Sequence, residues 1–146
     1  MPSDFAVQVA SSNGSVAPPY HYDVEITVDS AGNGTLRYWP GYGEEANRQV
    51  TGRFTVDWTT RQRLWSVAMG LRDAPGRRPD SQIPVGGASS AITLRAYYAS
   101  TFVEPWQPAP WSARSERLTA MLRAAVPDSI WSLTREAQRR VSDPSD

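Results

Sequence analysis

The sequence predicts an α+β domain in which an antiparallel sheet of about five or six strands carries its helices on one face. Several short segments alternate apolar with polar residues and are joined by brief turns, which is typical of hairpins. Three other segments have apolar residues at helical spacing, one after the fourth strand and two at the end of the chain. We expect residues 1–146 to form a single domain that frays at residues 1–4 and 142–146.

The first three strands are predicted in the N-terminal third of the chain. Phe5 to Ala10 is the first, and a loop of small residues follows it. Residues 20–29 then alternate strictly, with tyrosine, valine and isoleucine on one face and polar residues on the other. The turn at residues 30–34 contains two glycines and an asparagine, which tolerate positive φ. Thr35 to Trp39 is therefore expected to return as the second arm of a hairpin.

A fourth strand leads directly into the first helix. Residues 50–56 alternate again, and Thr59 and Gln62 behind them have the spacing of a capping box. The helix carries an apolar stripe of Leu64, Trp65, Ala68, Met69 and Leu71. Residues 73–91 are rich in Pro, Gly, Asp and Ser, which predicts a long loop of the kind that is either functional or disordered.

The C-terminal part holds another pair of strands and two helices. Residues 92–98 alternate, and Thr101 to Glu104 can pair with them. The predicted inner face of the first of these strands consists of Ile92, Leu94, Ala96 and Tyr98. Prolines then enclose Trp106 and Trp111 in a segment predicted to be an extended connector.

Helical spacing resumes after the connector. The first C-terminal helix has an apolar stripe and stops at Pro127, and Asp128 is the expected N-cap of the second. The stripes consist of Leu118, Met121, Leu122 and Ala125 in the first helix and of Ile130, Leu133, Ala137 and Val141 in the second.

The composition excludes several classes of chemistry. The chain has no cysteine, no lysine and one histidine, so it lacks a thiol nucleophile, a thiolate zinc site, a disulfide and a Schiff-base amine. Its 15 basic residues are scattered and are balanced by 15 acidic ones, so no nucleic-acid partner is expected. There is no charged leader and no long apolar run, so we expect a cytoplasmic protein without a membrane partner.

The one constellation suited to catalysis or metal binding is His21, Asp23 and Glu25, which share a strand face about 6.5–7 Å apart. Imidazole and carboxylate both ligate metals and both titrate, so a small enzyme or metal binder is the alternative hypothesis. The favoured interpretation is the solvated face of a half-exposed strand. We therefore expect no metal and no cofactor.

Aromatic residues in segments rich in Pro and Gly are the more suggestive feature. Tryptophan is enriched at binding hot spots, so such residues are anchors for a partner if exposed and a hydrophobic lid if buried. The candidate binding residues are Trp39, Tyr42, Trp106 and Trp111. The leading hypothesis is a non-catalytic binding domain that recognises another protein. Self-association through a sheet edge or the tryptophan connector is the other partner considered.

Five segments together resemble a group of small bacterial proteins of uncharacterised function. They are Pro18-Pro19-Tyr20-His21-Tyr22, the hairpin ending in Tyr38, the strand from Arg53 to Val56 with Leu64-Trp65, Pro84-Val85-Gly86-Gly87, and Val126-Pro127 with Ile130-Trp131. The resemblance extends over residues 18–133 and implies one compact α+β domain. Its motifs are turns, a helix stripe and a helix break, so it implies no reaction, cofactor or binding residue.

Overall fold

Alternation of apolar and polar residues produces six strands, each antiparallel to its neighbours. The structure is a computed structural model that describes residues 1–43, 48–73, 87–108 and 111–143. The order across the sheet is β4-β3-β2-β1-β5-β6. The strands are β1 (Ala6–Ser12), β2 (Tyr22–Asp29), β3 (Asn33–Pro40), β4 (Val50–Thr55), β5 (Ser89–Ala96) and β6 (Ala99–Pro108). A short 3₁₀ turn, Pro18–Tyr20, precedes β2.

The central strand β1 pairs with β2 on one side and with β5 on the other. Its Val7 lies between Val28 and Leu94, and its Val9 lies between Ile26 and Ile92. Register partners in a sheet present their side chains to the same face, so these rows make one face continuously apolar.

Three helices cover that face: α1 (Trp58–Asp73), α2 (Ala113–Ala125) and α3 (Asp128–Ser142). Their buried residues join those of the strands in a single hydrophobic core. The predicted fold class is confirmed: a six-stranded antiparallel sheet, one helix after the fourth strand and two at the C-terminus. Among the described residues, no helix combines the length and the apolar character needed to cross a bilayer.

The predicted connector around Trp106 is wrong, because β6 continues through it to Pro108. Prolines are tolerated there since β6 is an edge strand, and an edge residue need not donate its N–H to a second neighbour. The pairing of β6 with β5 also shifts register between Ser90 and Thr93, which is typical of a bulge. Of the predicted loop at residues 73–91, residues 74–86 lie outside the described part of the chain.

Both predicted helix caps are displaced. At α1 the carboxylate of Asp57, and not Thr59, accepts a bond from the backbone N–H of Thr60 at 2.7 Å. At α3 the N-cap is Pro127, and Asp128 is the first helical residue, where its charge suits the helix dipole.

The predicted inner stripe of α3 is also partly wrong. Leu133 is 54% exposed, and Thr134 is buried in its place. Burial of this hydroxyl is tolerated because it donates a hydrogen bond to the Trp131 carbonyl oxygen at 2.8 Å.

Packing of α3 against the sheet requires a residue without a side chain in β4. A Cβ atom added at Gly52 would lie 2.5 Å from Cγ2 of Ile130, a buried residue of α3. Close approach of helix and strand, and not a special φ angle, is therefore the reason for glycine here.

We predict that Gly52→Ala destabilises the protein by about 1–3 kcal/mol, since the added methyl overpacks a buried contact. Gly70→Ala is the matched control, because a Cβ there meets nothing within 4 Å and alanine favours the helix. Urea unfolding of both variants measures the difference, and equal stabilities would contradict the packing argument.

Candidate interaction surface

The turn between β5 and β6 has the least favourable backbone in the described part of the chain. Ala96 pairs with Ala99, so the turn contains two residues, Tyr97 and Tyr98, with φ of 55° and 64°. Two-residue hairpins of this kind require positive φ at both positions, and asparagine and glycine usually fill them. For other residues the left-handed conformation costs about 1–2 kcal/mol each.

The carboxylate of Asp4 holds this turn in place. The backbone N–H of Tyr97 donates to Oδ1 at 3.1 Å, and that of Tyr98 donates to Oδ2 at 2.6 Å. Both bonds lower the pKa of Asp4 below its ordinary value, and the bond from Tyr98 has the larger effect. Asp4 reaches the turn because Ala6 pairs with Arg95, which brings the start of β1 beside the end of β5.

Edge-to-face contacts between aromatic rings connect the turn with the core. The Tyr97 ring meets the Trp65 ring edge to face, with centroids 6.2 Å apart, and Trp65 meets the buried Phe5 in the same way at 5.3 Å. Tyr97 is thereby anchored although it is 61% exposed, whereas the Tyr98 side chain is 95% exposed. We call Tyr97 and Tyr98 with their Asp4 cap the tyrosine hairpin.

A third exposed aromatic residue, Trp58, lies at the same end of the sheet. One row of register partners crosses all six strands, from Phe54 in β4 to Thr101 in β6. Trp58 comes shortly after β4, and the tyrosine hairpin comes directly after β5. Because β4 and β5 run in the same direction, both lie beyond this row at the same end of the sheet. Trp58 is 58% exposed, and the guanidinium of Arg61 lies 5.2 Å from the centroid of its ring. This end of the molecule thus presents tyrosine, tryptophan and arginine.

The residues predicted from sequence lie elsewhere and do not form one patch. Trp39 is half-buried opposite Asp23 on the face without helices, and Trp111 is half-buried before the Ser112 N-cap of α2. Trp106 lies in β6, which is separated from the β3 strand of Trp39 by three strands, a span of about 19 Å. Their roles in binding stay predictions.

Tyr42 has a structural partner within the chain. Its ring stacks on that of His21, with centroids 3.8 Å apart and an angle of 8° between the planes. Its hydroxyl donates to the Val16 carbonyl oxygen at 3.1 Å. Tyr42 therefore fastens the loop before β2, although 40% of it remains exposed.

The constellation of His21, Asp23 and Glu25 is only partly assembled. Nδ1 of His21 lies 2.9 Å from the Gly14 carbonyl oxygen, so it carries the proton, and Nε2 lies 3.4 Å from Asp23 Oδ2. Glu25 instead lies 3.6 Å from Arg37. The favoured interpretation, a solvated strand face, holds for the two acids but is wrong for His21, because His21 is buried. Among the described residues, no three His, Asp or Glu side chains are grouped to hold a metal ion.

The tyrosine hairpin is not predicted from the sequence, and the prediction that Tyr98 belongs to a strand is wrong because Tyr98 lies in the turn. The turn contains no Gly, Asn, Asp or Pro, so the usual signs of a hairpin are absent. One sign was available: Tyr97 interrupts the alternation of residues 92–96 by placing a large aromatic residue in a polar position.

Neither the models of known protein families nor the curated proteins include a match to this chain. Of the segments that carry the resemblance to small bacterial proteins, Pro84 to Gly86 lie outside the described residues. That resemblance stays a prediction.

We predict that Asp4→Ala accelerates amide hydrogen exchange at Tyr97 and Tyr98 while exchange in β1 and β2 is unchanged. The two N–H groups lose their acceptors, and NMR measures the rates. Asp29→Ala is the matched control, since that carboxylate accepts from Asn33 in the other hairpin.

The same pair of proteins tests the pH dependence. Folding lowers the pKa of Asp4. The Asp4 carboxylate therefore protects the two amides from exchange fully when the pH is above the ordinary pKa of aspartate. This protection disappears as the pH falls through the lowered pKa of the folded protein. The exchange rates of wild type and Asp4→Ala, compared at each pH, should therefore converge in acid. A difference that persists there would mean that the charge of Asp4 does not hold the turn.

Proposed function

We propose that this protein is a non-catalytic binding domain that recognises another protein through the tyrosine hairpin. One observation carries the proposal: Tyr97 and Tyr98 occupy left-handed backbone conformations while 61% and 95% of their surfaces are exposed. Two large aromatic side chains are thus kept at a solvent-facing tip where the backbone disfavours them.

The Tyr97 ring contributes a contact with Trp65, but folding gives no comparable reason for tyrosine at position 98. Asparagine and glycine adopt the same turn at much lower cost, and the nearly bare Tyr98 ring adds little to the core. Unfavourable backbone conformations that persist in proteins concentrate at functional sites. We infer that the side chains themselves are needed, and that they are needed by something outside the chain.

Tyrosine suits recognition of a protein surface. It offers a large apolar ring and a hydroxyl while it immobilises only two side-chain torsions, and Tyr, Trp and Arg dominate binding hot spots. Trp58 and Arg61 supply the other two types at the same end of the sheet. Since Asp4 holds the backbone of the turn and Trp65 contacts the Tyr97 ring, the turn loses little backbone entropy on binding.

The proposed setting is the cytoplasm of a bacterium; only the bacterial origin follows from the resemblance of the sequence to small bacterial proteins. Nucleic acid is not proposed as a partner because the 15 basic and 15 acidic residues balance. Self-association is a separate outcome, which sedimentation over a range of concentrations distinguishes from binding of a different protein.

We predict that the double variant Tyr97→Asn, Tyr98→Gly is more stable than wild type by about 1–3 kcal/mol and no longer binds its partner. Denaturant unfolding measures the stability. For binding, a displayed peptide library is selected on immobilised wild type and counter-selected on the variant, and the enriched peptides are titrated by fluorescence anisotropy. Affinity purification from cells of the source organism is run in parallel with both proteins.

Tyr20→Asn is the matched control, because Tyr20 is a 65% exposed tyrosine away from the hairpin and its loss should leave binding intact. The proposal fails if the double variant binds the selected peptides and the captured protein as wild type does, or if neither selection yields a ligand. A less stable double variant would separately refute the argument from backbone cost.

A further inference from the structure

A cavity of about 380 Å³ opens between the sheet and the junction of α2 with α3. This volume lies near the lower limit of small-molecule sites, which span about 300–1,000 Å³. Its side chains come from four elements, and those that bear on its chemistry are Tyr22, Tyr38, Arg123, Trp131, Thr134 and Arg135.

Two tyrosines from neighbouring strands form the aromatic wall. The rings of Tyr22 and Tyr38 stack with centroids 5.4 Å apart. The buried Tyr38 hydroxyl donates to Oε1 of Gln138 at 2.7 Å. Burial raises the pKa of Tyr38 far above its ordinary value, with Tyr22 adding to this and Arg123 opposing it. Tyr38 is therefore a neutral, fixed part of the wall at any physiological pH.

Two arginines supply positive charge to the same cavity. The guanidinium of Arg123 lies 4.7 Å from the centroid of the Trp131 ring, and the Trp131 indole N–H donates to the Arg123 carbonyl oxygen at 3.3 Å. Arg135 donates to the Ser132 hydroxyl at 2.8 Å. In the part of the chain that the structure describes, no carboxylate lines the cavity and no ion pair joins either arginine to an acid.

We propose that this cavity binds a small organic anion, a carboxylate attached to a planar apolar body. Guanidinium groups match carboxylates in a bidentate geometry, and the phenol and indole rings suit a flat apolar group. The aromatic contacts restrict Arg123 before a ligand arrives, which reduces the entropy lost on binding.

A second arginine cluster distinguishes this proposal from simple attraction of anions. Arg63, Arg114 and Arg117 line a cavity of about 310 Å³ between α1 and α2, and no aromatic residue is among its described lining residues. An inorganic anion is expected to bind in this cavity as well as in the cavity lined by Arg123 and Arg135. A ring bearing a carboxylate should prefer the site with Tyr22 and Trp131.

The experiment is a titration of the full-length protein with benzoate, followed by the NMR signal of the Trp131 indole N–H and assigned with Trp131→Phe. We expect a saturable shift that Arg123→Gln and Arg135→Gln each weaken by about tenfold, since each removes a charged hydrogen bond. Arg117→Gln is the matched control and should change the affinity less than about twofold. Benzamide and acetate, which lack the charge and the ring respectively, should bind at least about tenfold more weakly.

Equal binding of benzamide would show an uncharged aromatic site, and equal binding of acetate would show a simple anion site. Either result overturns the proposal, as does a benzoate response that Arg117→Gln removes and Arg123→Gln does not. Absence of a saturable shift up to about 10 mM benzoate also refutes it. Should Arg123→Gln unfold, Arg135→Gln and Arg123→Lys test the same contacts, the latter keeping the charge without the planar fork.

Discussion

The apolar rows that cross the middle of the sheet are the interaction on which the rest of the structure depends. Ile92, Val9, Ile26 and Leu36 form one row, and none of them is more than 3% exposed. A slip of one residue would turn every apolar side chain of a strand to the other face, so burial of these rows fixes the register. The helices depend on it in turn, because α3 can approach β4 only where Gly52 continues the same row.

That register also creates the tyrosine hairpin. Because Ala6 is held opposite Arg95, Asp4 two residues earlier reaches the backbone of the β5–β6 turn. Phe5, buried at the start of the same strand, supports Trp65, which supports Tyr97. The unfavourable turn is thus maintained by contacts with Asp4, which precedes β1, and with Trp65 of α1.

The sequence allowed the fold to be predicted because alternation and helical spacing record which side chains meet the core. It was less informative where tertiary contacts decide. The prolines after Glu104 indicated a connector, yet an edge strand tolerates them. The residue type of Trp39, Trp106 and Trp111 predicts binding but does not reveal that Trp39 and Trp106 lie on strands far apart in the sheet and that Trp111 lies outside it. The tyrosine hairpin could not be recognised from turn residues, since Asp4, distant in sequence, imposes the turn.

The tyrosine hairpin and the cavity lined by Arg123 and Arg135 lie at opposite ends of the strands. Tyr22 and Tyr38 are at one end of the β2–β3 hairpin, and the Phe54–Thr101 row passes Val28 at the other, about 20 Å away. A small ligand in the cavity would therefore leave Tyr97 and Tyr98 accessible. The apolar rows between them are buried and lie in a single register in the structure. The two proposed sites share no residue and are separated by the length of the β2–β3 hairpin, so binding at one is expected to be independent of binding at the other.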